Sequence, residues 1–441
     1  FQANFRADAY DSSKLDPEHR WGYFPSVSAG WTISNEEWMK NLNSKLQISF
    51  LKLRASWGVN GNVNALGSYQ YSSTLQKGTS YGNNLGNGFI IGVRPSTVLP
   101  NPEVKWETSR QVDIGLDLRM FKNRLALTLD WYNKGTHDLL TSTTAPGNTG
   151  AERVYVNAGL VNNHGTEIEL SWKDTVGDFS YGISGNLGTV HNKVVEGTSK
   201  DRVPGTKIWS SYNVTYFEEG YPLWSYYTLR SNGFFQSDEE AASSPHPVEC
   251  EPKAGDIKYI DKNNDGVIDD NDRFIVGNDF PRYTFGFNYN LEVKGFWFSM
   301  FLQGVGKRSR WMRGESVEAF HNNNEGPVLD FHVDRWTPSN RNASYPRLTM
   351  GSESKNNAMK SDFWIQNAAY LRVKNLQVGY SFPEPLLKKI HFKGLQVYLT
   401  CENPFVFTKM KGGWDPEYNA DGSGRAYPVA RVYSVGLNVK F

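Results

Sequence analysis

The closing segment Tyr433-Ser-Val-Gly-Leu-Asn-Val-Lys-Phe441 constrains the fold more than any other stretch. Side chains alternate between faces along an extended strand, so Tyr433, Val435, Leu437, Val439 and Phe441 share one face, and Ser434, Gly436, Asn438 and Lys440 share the other. One face is wholly apolar and the other wholly polar or small. A membrane-spanning β-strand has this pattern, apolar toward lipid and polar toward a wet lumen. An edge strand of a soluble sandwich alternates in the same way, so the other segments decide between the two.

Several repeat the pattern. Val112, Ile114, Leu116, Leu118 and Met120 alternate with Asp113, Gly115, Asp117 and Arg119, and Leu125, Leu127, Leu129 and Trp131 with Ala126, Thr128, Asp130 and Tyr132. Phe285 to Val293 and Leu395 to Cys401 do the same. None fits the 3.6-residue period of a helix. The phase slips once, after Leu371 and Val373, which places a β-bulge near Lys374-Asn375.

The connections sort by length. Phe121 to Arg124, Lys173 to Asp178 and Lys294-Gly295 are tight, whereas Asn60 to Ser109, His191 to Arg282, Gly304 to Ala369 and Asn403 to Arg431 are long and rich in Gly, Asn, Ser and Pro. Walking back from Phe441, long and short connections alternate, and the short one before Leu395 holds a helical scrap, Pro385 to Ile390. Bacterial barrels combine short periplasmic turns with long extracellular loops and an even strand number, and about twelve strands are counted here. A sandwich has no reason to sort its loops in this way. The expected fold is therefore all-β, an antiparallel transmembrane β-barrel.

Composition agrees. Aromatic residues make up 14% of the chain, which suits interfacial girdles, and the mean hydropathy of −0.56 is compatible with a membrane face hidden in alternation. No run approaches the ~18 apolar residues of a transmembrane helix. A net charge of +1 gives no electrostatic case for nucleic acid. The chain begins inside an alternating strand, with Phe1, Ala3, Phe5, Ala7 and Ala9 on one side and no signal peptide, so it reads as the later portion of a longer precursor.

An ordered set of segments resembles the SusC/RagA family of TonB-dependent outer-membrane transporters. They are Arg20-Trp-Gly-Tyr-Phe-Pro-Ser-Val-Ser-Ala-Gly-Trp31, Leu53-Arg-Ala-Ser-Trp-Gly-Val-Asn-Gly-Asn62, Asn101-Pro-Glu-Val-Lys-Trp-Glu107 and Glu219-Gly-Tyr-Pro222. Asn232-Gly-Phe-Phe-Gln236, Gly255-Asp-Ile-Lys-Tyr259, Tyr370-Leu-Arg-Val-Lys-Asn-Leu376, Glu402-Asn-Pro-Phe405 and Phe407-Thr-Lys409 complete it. The resemblance implies that residues 1–441 are the carboxy-terminal portion of a barrel of about 22 strands, with the plug and roughly ten strands outside this sequence. It also implies import of oligosaccharides or peptides with a SusD-like surface lipoprotein and TonB as partners.

One motif carries ligand chemistry. In Asp261-Lys-Asn-Asn-Asp-Gly-Val-Ile-Asp-Asp-Asn-Asp272, Asp261, Asn263 and Asp265 take positions 1, 3 and 5 of an EF-hand-like calcium loop, with Gly266 at the sharp turn. Val267 offers its carbonyl, Asp269 a direct or water-mediated oxygen, and Asp272 the closing carboxylate where EF-hands place Glu. Flexible hard oxygens favour Ca²⁺ over Mg²⁺. The bland alternative is an acidic turn without an ion.

Other constellations are weaker. Trp209, Trp224, Trp311, Trp336 and Trp414 lie in the long loops, where stacking on sugar rings competes with loop packing and interface anchoring. Arg94, Arg308, Arg310 and Arg313 read as solvated loop charge, with acidic substrate groups as the alternative. Cys401 falls on the lipid side of its strand and Cys250 in a loop, so both are expected to be free thiols. No nucleophile elbow, P-loop or CxxC pair appears, and nothing suggests an enzyme. Active import is the leading expectation; a passive porin and a surface glycan-binding module are the alternatives.

Overall fold

The structure is a computed structural model that describes residues 1–10, 13–85, 88–197, 203–205, 214–314, 317–320, 326–350, 355–389, 391–417 and 427–441. The chain forms two compact units. The first comprises residues 1–168, 190–203 and 218–223, and the second residues 169–189, 204–217 and 224–441.

In the first unit β1 (Gln2–Ala9), β2 (Trp21–Thr32), β3 (Ile48–Asn62), β4 (Glu107–Met120), β5 (Leu125–His137) and the start of β6 (Leu160–Val176) neighbour one another in chain order. The second contains the rest of β6, then β7 (Phe179–Thr189), β8 (Tyr283–Val293), β9 (Phe296–Gly306), β10 (Tyr370–Ser381), β11 (Gly394–Thr408) and β12 (Val432–Lys440), again in chain order. Among the described residues these twelve strands, with a thirteenth, His191–Glu196, pairing with β6 off their order, agree with the expectation of about twelve.

The register keeps each face uniform. Ile114 pairs with Trp131, Leu116 with Leu129 and Leu118 with Leu127, while Val397 pairs with Leu437 and Leu399 with Val435. This apolar face is uncovered, with Ile114 at 51% exposure and Leu129, Trp131, Leu399 and Val435 also exposed. The polar face is the tied one. Arg54 Nη2 donates to Asp130 Oδ2 at 2.7 Å and Nε to Asp117 Oδ2 at 3.0 Å. Gly115 lies beneath this triad, and a Cβ there would come within 2.6 Å of the Arg54 guanidinium carbon. A sheet that exposes its apolar side chains and pairs its charges is suited to lipid outside and a polar lumen. Replacing Ile114, near the middle of β4, with Arg is therefore expected to cost about 2–4 kcal/mol in a bilayer. Chemical denaturation in liposomes, followed by the gel shift of the folded barrel, measures that cost; a change near zero would place this face outside lipid.

The turns follow the expected sorting with local corrections. Lys294 and Gly295 both have positive φ, 48° and 86°, as a two-residue hairpin turn requires. The turn expected over Lys173 to Asp178 is only Gly177-Asp178, because β6 stays paired to Val176. His191–Glu196, expected as loop, is a strand that pairs back on Leu160–His164. The helical scrap is the helix Glu384–Lys389.

The bulge falls at Lys374, where the pairing of β10 with β9 and β11 jumps from Val373 to Asn375. Opposite it lie Asn403 and Pro404, so the proline, which has no N–H to donate, sits where the ladder is already broken. For this reason β11 runs on to Thr408 rather than ending at Asn403.

Each unit buries its apolar cores in the long connections rather than on the strand faces. In the first, Leu15, Val63, Leu66, Val104 and Leu140 cluster, with Trp106 packed against them. Phe24 meets the Trp106 ring edge-on, and Trp106 Nε1 donates to Arg20 O at 3.0 Å. Two of the segments that carried the family resemblance thus meet at one ring.

Candidate functional site

The loop body of the second unit is the most elaborately built part of the molecule. Its main core holds Val214, Tyr226, Trp311, Met312, Val317, Tyr345, Trp364, Ala368 and Met410, drawn from all three long connections of that unit. Leu229, Ile257, Tyr259 and Ile268 form a neighbouring cluster. Backbone order comes from short ladders: Ser309–Trp311 pairs with Ile365–Asn367, and Ser231–Phe234 with Ile257–Tyr259.

Asp256, which is buried, organises the second of these. Its carboxylate accepts from Arg347 Nε at 2.7 Å, Asn357 Nδ2 at 2.9 Å and the Lys253 N–H at 2.9 Å. A buried carboxylate is tolerable only when paired and hydrogen-bonded in this way. Tyr226, Tyr259 and Tyr345 are held neutral at physiological pH by burial, which pushes their hydroxyls well above the ordinary phenol range.

A charge clasp fastens the last loop to β10. Arg372, 2% exposed, places Nη2 at 2.5 Å from each Asp415 oxygen and Nε at 3.0 Å from Glu417 Oε2. Tyr370 donates its hydroxyl to Glu417 Oε1 at 2.7 Å. The bulged Lys374 reaches Glu417 Oε2, also at 2.7 Å. Tyr370, Arg372 and Lys374 are two residues apart in turn, so strand alternation puts all three on one face, from which they reach the same pair of carboxylates. Arg308 and Arg310 both donate to Pro416 O at 3.3 Å and pair with Asp279.

Beside the main core lies a cleft of about 220 Å³ floored by Met312, Phe331, Tyr345, Phe363 and Trp364 and rimmed by Ser344, Gln366, Asn367, Lys409 and Lys411. His332 supports the wall from behind. Its Nδ1 accepts from the Leu329 N–H at 2.9 Å, so the ring proton belongs on Nε2, which donates to Val317 O at 3.0 Å. Burial lowers its pKa below the ordinary imidazole range and keeps the ring neutral.

The residues named from sequence are distributed unevenly. Trp311 and Trp336 are buried and pack the loop body, the loop-packing alternative of the sequence reading. Trp414 packs against the main core. Trp224 is exposed beside Phe217, and Trp209 lies outside the described residues. Arg310 and Arg313 are buried rather than solvated, Arg313 pairing with Glu318; the Arg94 side chain lies outside the described residues. Cys250 and Cys401 are free. The sequence reading missed Asp415 and Glu417. Their signal was two carboxylates just past an aromatic, two residues apart, in a chain with an Arg-x-Lys pair on a bulged strand.

The acidic loop closes on itself. Asp261 accepts the N–H groups of Asn264 at 2.7 Å and Gly266 at 2.9 Å, and Asp265 accepts from the Val267 N–H and Asn263 Nδ2. Asp269 caps Asn271, and the fully buried Asp272 accepts from the Lys262 and Asp269 N–H groups at 2.8 Å each. Gly266 adopts φ 86°, as the sharp turn requires. The donor set is chemically suited to Ca²⁺, but among the described residues no three acidic, His or Cys side chains converge as a metal site. The N–H donors of the turn occupy the carboxylates instead.

An antiparallel meander with an uncovered apolar face, polar residues tied on the other and folded long connections defines a transmembrane β-barrel wall. Among the described residues no helix is long and apolar enough to cross a membrane. Residues 1–403 match the family model described as TonB dependent receptor-like, beta-barrel, and the chain belongs to that family. TonB-dependent receptor P3 of Formosa agariphila is 29% identical over 99% of this chain and 44% of that protein. TonB-dependent receptor SusC of Bacteroides thetaiotaomicron is 28% identical over 98% of this chain and 41% of its own length. The chain therefore spans less than half the length of these relatives. Among solved structures, the RagAB peptide importer in its open-open state shares the fold, with a TM-score of 0.79 at 22% identity over 100% of this chain and 45% of that one.

Proposed function

We propose that this chain forms wall strands and the extracellular loop body of an outer-membrane active importer of oligosaccharides or peptides. In this reading the transporter works with a SusD-like surface lipoprotein and draws energy through TonB, with the plug supplied elsewhere in the transporter. The observation that carries it is the folded loop body of the second unit, clasped to β10 by Arg372, together with the family match. A passive pore needs loops only to narrow its lumen, whereas a receptor needs a shaped outer surface. The names of SusC and the RagAB peptide importer support a nutrient-uptake role. Deletion of TonB in cells expressing the full-length transporter is expected to abolish uptake of its labelled oligomer. Uptake that persists would favour a porin, and surface binding without any uptake would favour a glycan-holding module.

Calcium is proposed for the loop of Asp261, Asn263, Asp265, Val267, Asp269 and Asp272, on the strength of its donor spacing and the Gly266 turn. Binding requires the carboxylates to turn from their N–H partners toward one centre. Terbium luminescence of the full-length protein, displaced by Ca²⁺ and lost in Asp265→Ala, is the expected result. Equal signals from both proteins would leave the loop as a self-closed turn.

A further inference from the structure

The loop cleft combines an apolar floor with a rim of hydrogen-bond donors. Lys409, Met410 and Lys411 alternate as they leave β11: Met410 enters the core, while both lysines are exposed and line the cleft. Lys411 is fixed by its own N–H, which donates to Gln366 Oε1 at 2.8 Å. That bond occupies the Gln366 carbonyl, and the Ala369 N–H occupies Asn367 Oδ1 at 3.0 Å. Each amide therefore has its NH₂ left as its donor end.

Among the described residues no carboxylate lines the cleft. Asp334, which acts electrostatically on Lys411, is already held by Asn340 Nδ2 and the Ser344 N–H, and Lys409 makes no ion pair among the described residues. The rim is thus an anion-seeking surface over an aromatic pit.

The floor decides which anion. Tyr345 gives its hydroxyl proton to Val317 O at 2.7 Å, and Trp364 Nε1 donates to Asn357 O at 3.2 Å. The remaining floor groups, Met312, Phe331 and Phe363, have no strong hydrogen-bonding atom on their side chains. A sugar ring sunk here would strip water from hydroxyls without replacing their partners, at substantial cost. An apolar side chain loses nothing, and about 220 Å³ accommodates one such group rather than a longer segment.

We propose that this cleft is a recognition subsite for a peptide that carries an apolar side chain next to a free carboxylate. The aromatic floor takes the side chain, and Lys409 and Lys411 hold the carboxylate. The inference rests on the import reading and narrows its substrate class.

The test uses the full-length transporter in detergent, titrated calorimetrically with N-acetyl-Leu-Ala-Phe as the free acid, with its carboxy-terminal amide, and with trigalacturonate. The acid is expected to bind about tenfold more tightly than the amide, as two charge-assisted contacts allow, with an advantage that shrinks in high salt. Lys409→Gln/Lys411→Gln should abolish the preference; both side chains are exposed, and the gel shift of the folded barrel checks that the variant is intact. Equal binding of acid and amide, a preference retained in the double variant, or no binding of either peptide would overturn the subsite. Trigalacturonate binding without peptide binding would overturn the peptide assignment. Loss of the subsite with TonB-dependent uptake intact leaves the import reading standing, whereas uptake independent of TonB removes that reading itself.

Discussion

Trp311→Ala is expected to destabilise the loop body of the second unit by about 3–5 kcal/mol, the range for removing a large buried aromatic from a close-packed core. Trp311 is 1% exposed and sits in the main cluster with Tyr226, Met312 and Trp364. Its backbone N–H donates to the Tyr226 hydroxyl at 3.2 Å, and the Arg313 guanidinium stacks near its ring. The indole Nε1 has no hydrogen-bond partner among the described residues. Its contribution is therefore packing, and Trp311→Phe should cost much less than alanine. Hydrogen exchange of the Ser309–Trp311 and Ile365–Asn367 pair reports the local opening energy, while the gel shift of the barrel should persist. A loss below about 1 kcal/mol would show that this ring is not part of a close-packed core.

Arg372→Ala is expected to release the loop around Asp415 and Glu417 from β10 at a cost of about 3–5 kcal/mol, because deleting one partner of a buried ion pair strands the other. Lys374 and the Tyr370 hydroxyl still reach Glu417, so the stranded charge is chiefly that of Asp415. Asp415→Ala should cost less, because Glu417 Oε2 remains 3.0 Å from the Arg372 Nε. Arg372→Lys should recover only part, since an ammonium cannot address two carboxylates with a fixed fork. Limited proteolysis of the loop following β11 measures the release. Equal protection in wild type and Arg372→Ala would mean that the clasp does not hold the loop.

Both effects concern residues whose importance is invisible to periodicity. For Trp311 and Trp336 the sequence left sugar stacking, interface anchoring and loop packing open, because they lie in polar, glycine-rich stretches, yet each is buried by residues distant in sequence. Trp336 covers Gly255, where a Cβ would come within 2.4 Å of the indole. The charges of Arg310 and Arg313 were read as solvated for the same reason. A long loop looks hydrophilic residue by residue, and only the meeting of three such loops creates an interior.

The sequence by itself determined the wall. Alternation is local and has a period of two, so the faces of β4, β5, β8, β11 and β12, their antiparallel order and the bulge at Lys374 were all legible from side-chain pattern and connection length. Only the tertiary structure decided what the long connections become. Their cores join Val214, Trp311, Trp364 and Met410 across separations that no local pattern encodes, and their charges are settled by partners such as Asp279, Asp415 and Glu417. A strand's neighbours are dictated by its own backbone ladder, whereas a loop residue's surroundings are dictated by whichever other loops the wall brings to the same end.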